Sequence, residues 1–151
     1  MSFEKLTWGV KASFRNYVEA AGGKITVSDG ATRTDDGSFE LNALPGGDLS
    51  IDADGSASGS MRFEGTIAFE AHGGMLNSTL SEIALEVIDG DLVITVLEAP
   101  MNQGRCAVAK LGGAETDGDA IVLKSEITMD GMYQIADNYP PGTELDSVQL
   151  D

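Results

Sequence analysis

The chain has 151 residues, with 9 lysines and arginines against 25 aspartates and glutamates, for a formal net charge of −16. This length is typical of one domain with its own hydrophobic core, so we expect residues 1–151 to form a single domain. Nucleic acids and anionic membrane surfaces attract clustered basic side chains, and so few scattered basic residues argue against both kinds of partner.

The chain contains a single cysteine, Cys106, so an internal disulfide bond is excluded. The first five residues do not lead a basic segment into a long apolar one, as an export signal does. No apolar run reaches the length of a membrane span. From these features alone, the sequence predicts either a cytoplasmic chain without a membrane anchor or a mature or trimmed form of an exported one.

The first predicted element is a helix over residues 7–18, because apolar residues recur there at three- and four-residue spacing. Thr7 is expected to cap its start, and Gly22-Gly23 to end it. A helix this short is marginal alone, so it should dock on a sheet. Its predicted apolar face consists of Leu6, Val10, Phe14, Tyr17, Val18 and Ala21.

The rest of the chain alternates apolar and polar residues, which predicts about eight or nine strands separated by turn sequences. The fold class is therefore mainly β, a β-sandwich or flattened barrel with one short N-terminal helix. The longest alternation is expected to bend or bulge near Gly65, and a brief second helix is predicted over residues 132–139. The predicted strands cover residues 24–28, 39–43, 49–53, 61–72, 83–87, 92–97, 106–111, 121–129 and 145–150.

Four stretches of the sequence resemble, in the same order, blocks of a known family. They are WGVKASFRNYV at residues 8–18, GKITVSDGA at 23–31, FEGTIAFEAHGGML at 63–76 and YPPGTELD at 139–146. Together they resemble the HtaA-type haem-binding domain of bacterial haem uptake systems. The match extends over nearly the whole chain, and the first block and the histidine turn are specific in combination.

The resemblance implies how haem is held. In this family a tyrosine on the first helix ligates ferric haem, a histidine hydrogen-bonds the tyrosine oxygen, and a serine one turn earlier supports it. By motif position these roles fall on Tyr17, His72 and Ser13. The resemblance also implies a mostly β domain with one short helix, a location at the cell surface or outside the cell, and exchange of haem with a donor or acceptor protein.

The chemistry of these residue types is consistent with that role. Phenolate is a hard oxygen donor that suits ferric iron, and a neighbouring imidazole can orient the oxygen and share its negative charge. Ser13 and Tyr17, four residues apart, share one helix face. Candidates for an apolar pocket wall are Trp8, Phe14, Phe69, Met75 and Leu76, and candidate cations for the haem propionates are Lys11, Arg15, Arg62 and Arg105.

Other functions fit the sequence less well. Ser13 and His72 lack a nucleophile-elbow pattern, so we predict that the chain is not a hydrolase or another enzyme. One histidine and one cysteine are too few for a typical zinc site. The acidic turns lack the full calcium-loop spacing, although calcium prefers clustered oxygens. The alternative left open is a cofactor-free β-sandwich interaction or structural module, including one that binds calcium.

Overall fold

The computed structural model describes residues 3–52, 54–98, 104–136 and 138–151. Within these ranges the helices are α1 (Ala12–Ala20) and α2 (Met129–Gln134), and a 3₁₀ turn spans His72–Gly74. The strands are β1 (Lys5–Trp8), β2 (Lys24–Ser28), β3 (Thr32–Arg33), β4 (Phe39–Asn42), β5 (Ser50–Ile51), β6 (Ala57–Ser58), β7 (Ser60–Arg62), β8 (Thr66–Ala71), β9 (Leu76–Leu80), β10 (Ala84–Ile88), β11 (Asp91–Leu97), β12 (Arg105–Asp117), β13 (Ala120–Ile127) and β14 (Glu144–Leu150).

The strands form one large antiparallel sheet and two small ones. The large sheet has nine strands in the order β3-β4-β1-β14-β13-β12-β11-β10-β7, and the small sheets are β2-β8-β9 and β5-β6. The large sheet ends at the short strands β3 and β7, which do not pair with each other, so it is not a closed barrel. The mainly β class predicted from the alternating sequence is therefore confirmed.

The core lies between the nine-stranded sheet, the three-stranded sheet and helix α1. Phe69 on β8 connects these layers: its ring centroid is 4.8 Å from that of Phe14 on α1 and 5.8 Å from that of Phe39 on β4. All three rings are buried. Because aromatic rings bury large apolar areas, this contact chain fixes α1 against both sheets.

Helix α1 begins later than the sequence predicts. Lys5–Trp8 forms a strand that pairs with β4 on one side and β14 on the other, so Thr7 lies in a strand and does not cap the helix. Leu6 and Trp8 are still buried, because alternate residues of a strand share one face. The four-residue spacing of Leu6 and Val10 fits a helix, but pairing of Lys5–Trp8 on both sides favours the strand. The chain then turns at Val10, whose φ is 63°.

The alternation over residues 61–72 is interrupted at Gly65, where the sequence predicts a bend or bulge within one strand, and the interruption separates two strands in different sheets. Strand β7 joins the edge of the nine-stranded sheet, whereas β8 lies at the centre of the three-stranded sheet. Gly65 has φ 130°, and a Cβ there would lie 2.6 Å from the Cβ of Ala31. A side chain does not fit at this point, so the chain changes sheet at a glycine.

Other element ends also differ from the predictions. Strand β12 continues through Gly112 and Gly113, where the sequence predicts its end, and its register with β13 shifts there instead. Helix α2 begins at Met129, because the Thr128 side chain accepts a hydrogen bond from the Gly131 N–H. Residues 53 and 137, which fall in predicted elements, lie outside the described residues. No helix in the described ranges is long and apolar enough to cross a membrane.

Candidate functional site

Helix α1 carries two of the three predicted site residues on its outer side. Phe14 and Val18 are buried against the core, whereas Ser13 is exposed and Tyr17 retains 47% of its surface. Tyr17 was grouped with the apolar face by its spacing, but it lies at the rim of that face. A half-exposed tyrosine can pack its apolar ring on the protein while its hydroxyl stays at the surface.

The C-terminal end of α1 is held against the end of strand β8. Gly22 has φ 77°, and the Gly22 and Gly23 N–H groups donate to the carbonyls of Glu19 and Val18, as in a Schellman motif. A Cβ on Gly23 would lie 2.2 Å from the carbonyl oxygen of Glu70, so only glycine permits this approach. The predicted end of the helix at Gly22-Gly23 is thus confirmed, and it brings α1 close to the residues preceding His72.

His72 is presented by a left-handed turn at the end of β8. The φ values of His72, Gly73 and Gly74 are 55°, 66° and 96°. This region is easily reached by glycine but is uncommon for other residues, so the two glycines after His72 make the turn possible. The turn directs the exposed imidazole back towards α1.

Tyr17 and His72 form a hydrogen bond across this gap. The Tyr17 hydroxyl lies 2.6 Å from Nε2 of His72, and the two ring centroids are 5.7 Å apart. The phenol can donate to a neutral imidazole, and an Nε2–H can donate to a phenolate oxygen, so this pair accommodates either form of the tyrosine. Two residues far apart in sequence, and singled out together by the family resemblance, are therefore in direct contact.

Ser13 has a different partner from the one predicted. Its Oγ lies 3.2 Å from the hydroxyl of Tyr139, so the structure pairs it with a second tyrosine and not with the Tyr17 oxygen. Lys11 lies next to this pair, with Nζ 5.6 Å from the centroid of the Tyr139 ring. Two side chains of α1 therefore make hydrogen bonds through their hydroxyl groups, Tyr17 with His72 and Ser13 with Tyr139.

A cleft of ≈ 490 Å³ opens beside Tyr17. One wall comes from the residues that follow the histidine turn, and the other from α2 and the segment after it. Met75 is 91% exposed and Tyr133 is 71% exposed, so large apolar side chains stand open to solvent here. The lining residues are Tyr17, Met75, Leu76, Asn77, Met132, Tyr133, Ile135, Ala136 and Asn138.

Comparison with known proteins assigns the chain to a family. The family model HtaA, described as Htaa, matches residues 4–151. The chain belongs to the HtaA family. A search of curated proteins finds no match.

Three solved structures resemble this HtaA-family chain over nearly its whole length. The C-terminal domain of HtaA from Corynebacterium glutamicum is 28% identical, with TM-score 0.70 and coverage of 98% of this chain and 95% of that one. The N-terminal domain of the same protein is 24% identical, with TM-score 0.73 and coverage of 99% and 96%. The heme binding protein HtaB of that organism is 15% identical, with TM-score 0.69 and coverage of 98% and 91%. The last two likenesses establish a shared fold.

The HtaA-family fold separates the five predicted pocket-wall residues into two groups. Met75 and Leu76 line the cleft, as predicted. Trp8, Phe14 and Phe69 are at most 1% exposed, so their role is to pack the core, and assigning them to a pocket wall was wrong. Aromatic type alone does not distinguish a core ring from a pocket ring, because both are apolar.

The four candidate cations also separate. Arg15 pairs with Asp146 at 2.6 Å, and Arg105 with Glu86 at 3.3 Å, so both guanidinium charges are already balanced by carboxylates. Arg62 lines a different cleft, together with Asp29 and Glu82. Lys11 is next to α1 and donates only to a backbone carbonyl, that of Glu144, among the hydrogen bonds and ion pairs of the described residues. Its positive charge therefore has no carboxylate partner there.

Other potential metal ligands are less suitable. Burial, with further contributions from the carboxylates of Asp130 and Glu98, raises the pKa of the Cys106 thiol to about 11. The thiol therefore stays protonated at neutral pH, and a protonated thiol is a poor metal ligand. Among the described residues, no three or more His, Cys, Asp or Glu side chains are grouped so as to hold a metal ion.

The sequence analysis did not single out Tyr133 and Tyr139 as site residues. Tyr139 begins the last block of the family resemblance, so its position was visible, but nothing in the sequence linked it to Ser13. Tyr133 is in a helix whose docking depends on the close approach of Gly131 to the Val108 carbonyl, where a Cβ would lie at 2.1 Å. Such a long-range contact is not visible in local periodicity.

Proposed function

We propose that this HtaA-family chain binds ferric haem, with the Tyr17 phenolate as the iron ligand and His72 as the hydrogen-bond partner of its oxygen, and that it captures, carries or relays haem. The observation that supports this most directly is the 2.6 Å contact between the Tyr17 hydroxyl and His72 Nε2 at the wall of the cleft. Haem is here the cargo, so we infer a binding and transfer function and not a chemical conversion.

The donor chemistry suits the iron of haem. Tyrosine oxygen is an established axial ligand of haem iron, and a metal ion favours the deprotonated form of the group that binds it. His72 can then donate from Nε2 to the phenolate, which fixes the oxygen and spreads its charge. Because the contact between Tyr17 and His72 already orders both side chains, less freedom is lost when the ligand binds.

The cleft suits the porphyrin. Its volume of ≈ 490 Å³ lies within the usual range for ligand pockets, and its wall includes two methionines and two tyrosines. Methionine adapts its shape and packs well on aromatic faces, so Met75 and Met132 suit a flat aromatic ligand. The exposed apolar surface at Met75 and Tyr133 is costly in water unless something covers it.

The negative charge of the protein is a cost for an anionic ligand, and local cations must offset it. Lys11 is the best placed of the four candidates, because it lies at the start of α1 and its ammonium has no carboxylate partner among the described residues. The Ser13–Tyr139 pair beside it adds hydroxyl donors. We therefore assign the haem propionates to the N-terminal end of α1, and Ser13 to haem contact at that end.

The test is a titration of the haem-free protein with ferric haem, monitored by its absorption spectrum. An identical titration with iron-free protoporphyrin is carried out beside it. We expect saturable one-to-one binding of both, with haem bound more tightly because only haem has an iron for Tyr17 to ligate. Haem at a free concentration 100 times its Kd should stabilise the folded state by about 2.7 kcal/mol, and the thermal midpoint should rise accordingly. Equal affinity for the two porphyrins would contradict iron ligation, and binding of neither would leave a cofactor-free module.

Replacing His72 with alanine is expected to weaken haem binding about 10- to 100-fold, the usual cost of losing a hydrogen-bond partner of a metal ligand. The absorption spectrum should also change, because the phenolate loses a donor. Protoporphyrin affinity should stay the same, since protoporphyrin does not use Tyr17 as a ligand.

His72→Gln is the matched control, because its amide can still donate to the Tyr17 oxygen. It should recover part of the lost affinity. Size-exclusion chromatography of each variant checks that the oligomeric state is unchanged. Haem binding by His72→Ala that equals that of the parent chain would remove His72 from the site.

Replacing Met75 with serine is expected to raise the Kd for haem about 10- to 100-fold, because burial of a methionine side chain contributes about 1.5–3 kcal/mol. The same loss should appear with protoporphyrin, since Met75 contacts the ring system. The folded protein should be almost unaffected, because the side chain is 91% exposed.

Met129→Ser is the control for this change. Met129 is 61% exposed but does not line the cleft, so its replacement should leave both affinities unchanged. Equal effects of the two substitutions on Kd would mean that the cleft beside Tyr17 is not the porphyrin site.

A further inference from the structure

Helix α1 does not cap its own N-terminus. Its N-cap residue is Lys11, whose side chain makes no capping hydrogen bond, and its first turn contains no acidic residue. The first N–H groups of a helix have no partner within the helix, and the positive end of its dipole favours a nearby negative charge. A helix of nine residues is especially dependent on such stabilisation.

Asp146, far along the chain on β14, supplies the capping acceptor and the negative charge that α1 lacks at its N-terminus. Its Oδ1 accepts a hydrogen bond of 3.0 Å from the Ala12 N–H, and its Oδ2 accepts one of 2.6 Å from Arg15 Nη1. The same Arg15 nitrogen donates to the Gly9 carbonyl at 2.6 Å. One carboxylate therefore caps the helix, neutralises its buried arginine and secures the turn before it.

The backbone of Asp146 is itself held from three directions. Its carbonyl accepts hydrogen bonds from Trp8 Nε1 at 3.0 Å and from Ser125 Oγ at 2.6 Å. Its N–H donates to the Val10 carbonyl at 2.9 Å. These partners belong to β1, β13 and the turn before α1, so the carboxylate is fixed to the nine-stranded sheet.

The turn between β1 and α1 is shaped around this contact. A Cβ on Gly9 would lie 2.3 Å from both Arg15 Nη1 and Asp146 Oδ2, so a side chain there is incompatible with the ion pair. Val10 adopts φ 63°, an unusual conformation for a β-branched residue. Such a conformation persists only where the surroundings stabilise it, and the Val10 carbonyl is one of the groups bound to Asp146.

We propose that Asp146 is a positioning residue for Tyr17, acting through α1 as a cap supplied by another strand. The helix is anchored at its N-terminus by Asp146 and at its C-terminus by Gly23 against β8, and Tyr17 lies between these anchors. A hydrogen bond of 2.6 Å between Tyr17 and His72 tolerates little displacement, so release of the first anchor moves the phenol out of reach. The consequence for haem rests on the proposed function, but the consequence for the Tyr17–His72 contact does not.

The experiment measures the His72 imidazole signals by NMR in the haem-free protein, where a single histidine makes the assignment unambiguous. Tyr17→Phe gives the reference position for an imidazole without its tyrosine partner. We expect Asp146→Ala to move the signals most of the way to that reference and to speed amide exchange in α1. Asp146→Asn keeps an oxygen acceptor for Ala12 but loses the ion pair, so it should give an intermediate shift and remain folded.

A local cap tests the mechanism directly. Lys11 has φ −158° and ψ 125°, the extended conformation of an N-cap residue, so Lys11→Ser places a capping hydroxyl at the correct point. Adding Lys11→Ser to Asp146→Ala should return the His72 signals towards the wild-type position. If Asp146 only stabilised the fold in general, a serine at position 11 would not restore the His72 signals.

Val148→Ala is the matched control, because it removes buried side-chain atoms from the same strand and none of the hydrogen bonds of the Asp146 carboxylate. It should lower stability while leaving the His72 signals in place. The proposal is overturned if Asp146→Ala and Asp146→Asn leave those signals at the wild-type position, or if Val148→Ala shifts them equally.

Haem titration then separates the two claims. If the chain binds haem, Asp146→Ala should raise the Kd for haem about tenfold or more, and the Kd for protoporphyrin less, because only haem requires the phenol. If the wild-type chain binds no haem, the proposed function fails while the NMR result still decides the positioning role of Asp146.

Discussion

Replacing Tyr17 with phenylalanine is expected to abolish the preference of the protein for haem over iron-free protoporphyrin. The substitution keeps the ring that lines the cleft and removes only the oxygen that we propose as the iron ligand. The loss of haem affinity should exceed the 10- to 100-fold expected for His72→Ala, because a ligand contributes more than its hydrogen-bond partner. Absorption titrations with the two porphyrins measure both effects, and any charge-transfer band from phenolate to iron should disappear.

The fold should survive this change. Tyr17 is 47% exposed and its hydroxyl contacts only His72 among the hydrogen bonds of the described residues, so the free energy of unfolding should fall by about 1 kcal/mol or less. Circular dichroism and thermal unfolding verify this, and they separate loss of a ligand from loss of the helix.

The other two tyrosines of the chain make sharp controls, because both lie near the same site. Tyr133 is 71% exposed on the opposite wall of the cleft, and Tyr139 contacts Ser13. Tyr133→Phe should retain the preference for haem over protoporphyrin. Tyr139→Phe should lower the affinity for both porphyrins to a similar extent. If Tyr133→Phe loses the preference and Tyr17→Phe retains it, the iron ligand is Tyr133, and our assignment is wrong.

The strands that alternate strongly in sequence were predictable, because a half-buried strand leaves a period of two. Strand β2 has the bounds Lys24–Ser28 that the sequence predicts, and Leu92–Leu97, apolar on both faces, lies within the buried strand β11. Glycines were harder to interpret. Gly65 marks a change of sheet, whereas Gly112-Gly113 marks a register shift. The sequence alone does not distinguish these two irregularities, because they depend on which atoms approach the glycine backbone.

The contact of Tyr17 with His72 could be predicted only through the family resemblance. Spacing on α1 places Ser13 and Tyr17 on neighbouring positions, but nothing local connects either residue to a turn after β8. The partner of Ser13 and the wall formed by α2 escaped prediction for the same reason. Both depend on the docking of segments distant in sequence, which local propensity does not encode.

The start of α1 shows how a tertiary contact changes a local preference. The apolar spacing extends back to Leu6, yet β4 and β14 recruit Lys5–Trp8 as a strand, and the helix begins only at Ala12. The same strand β14 brings Asp146 to the new N-terminus. Pairing that shortens the helix therefore also supplies its cap, which a window of local sequence does not reveal.

Replacing Phe69 with alanine is expected to lower the free energy of unfolding by about 3–5 kcal/mol. The ring is fully buried between Phe14 of α1 and Phe39 of the large sheet, so its removal leaves a cavity at the junction of three layers. Chemical denaturation measures the loss as a lower midpoint. Haem affinity should fall too, because α1 loses the packing that holds Tyr17 opposite His72.

Phe63→Ala distinguishes a general loss of stability from a specific loss of position. Phe63 is equally buried, and the aromatic contact chain from α1 to β4 runs through Phe69 instead. Its removal should destabilise the fold by a similar amount and leave the haem affinity of the folded fraction unchanged. Phe69→Leu, which leaves a smaller cavity, keeps enough folded protein for titration. If Phe63→Ala and Phe69→Leu reduce haem affinity equally, Phe69 stabilises the core without positioning the helix.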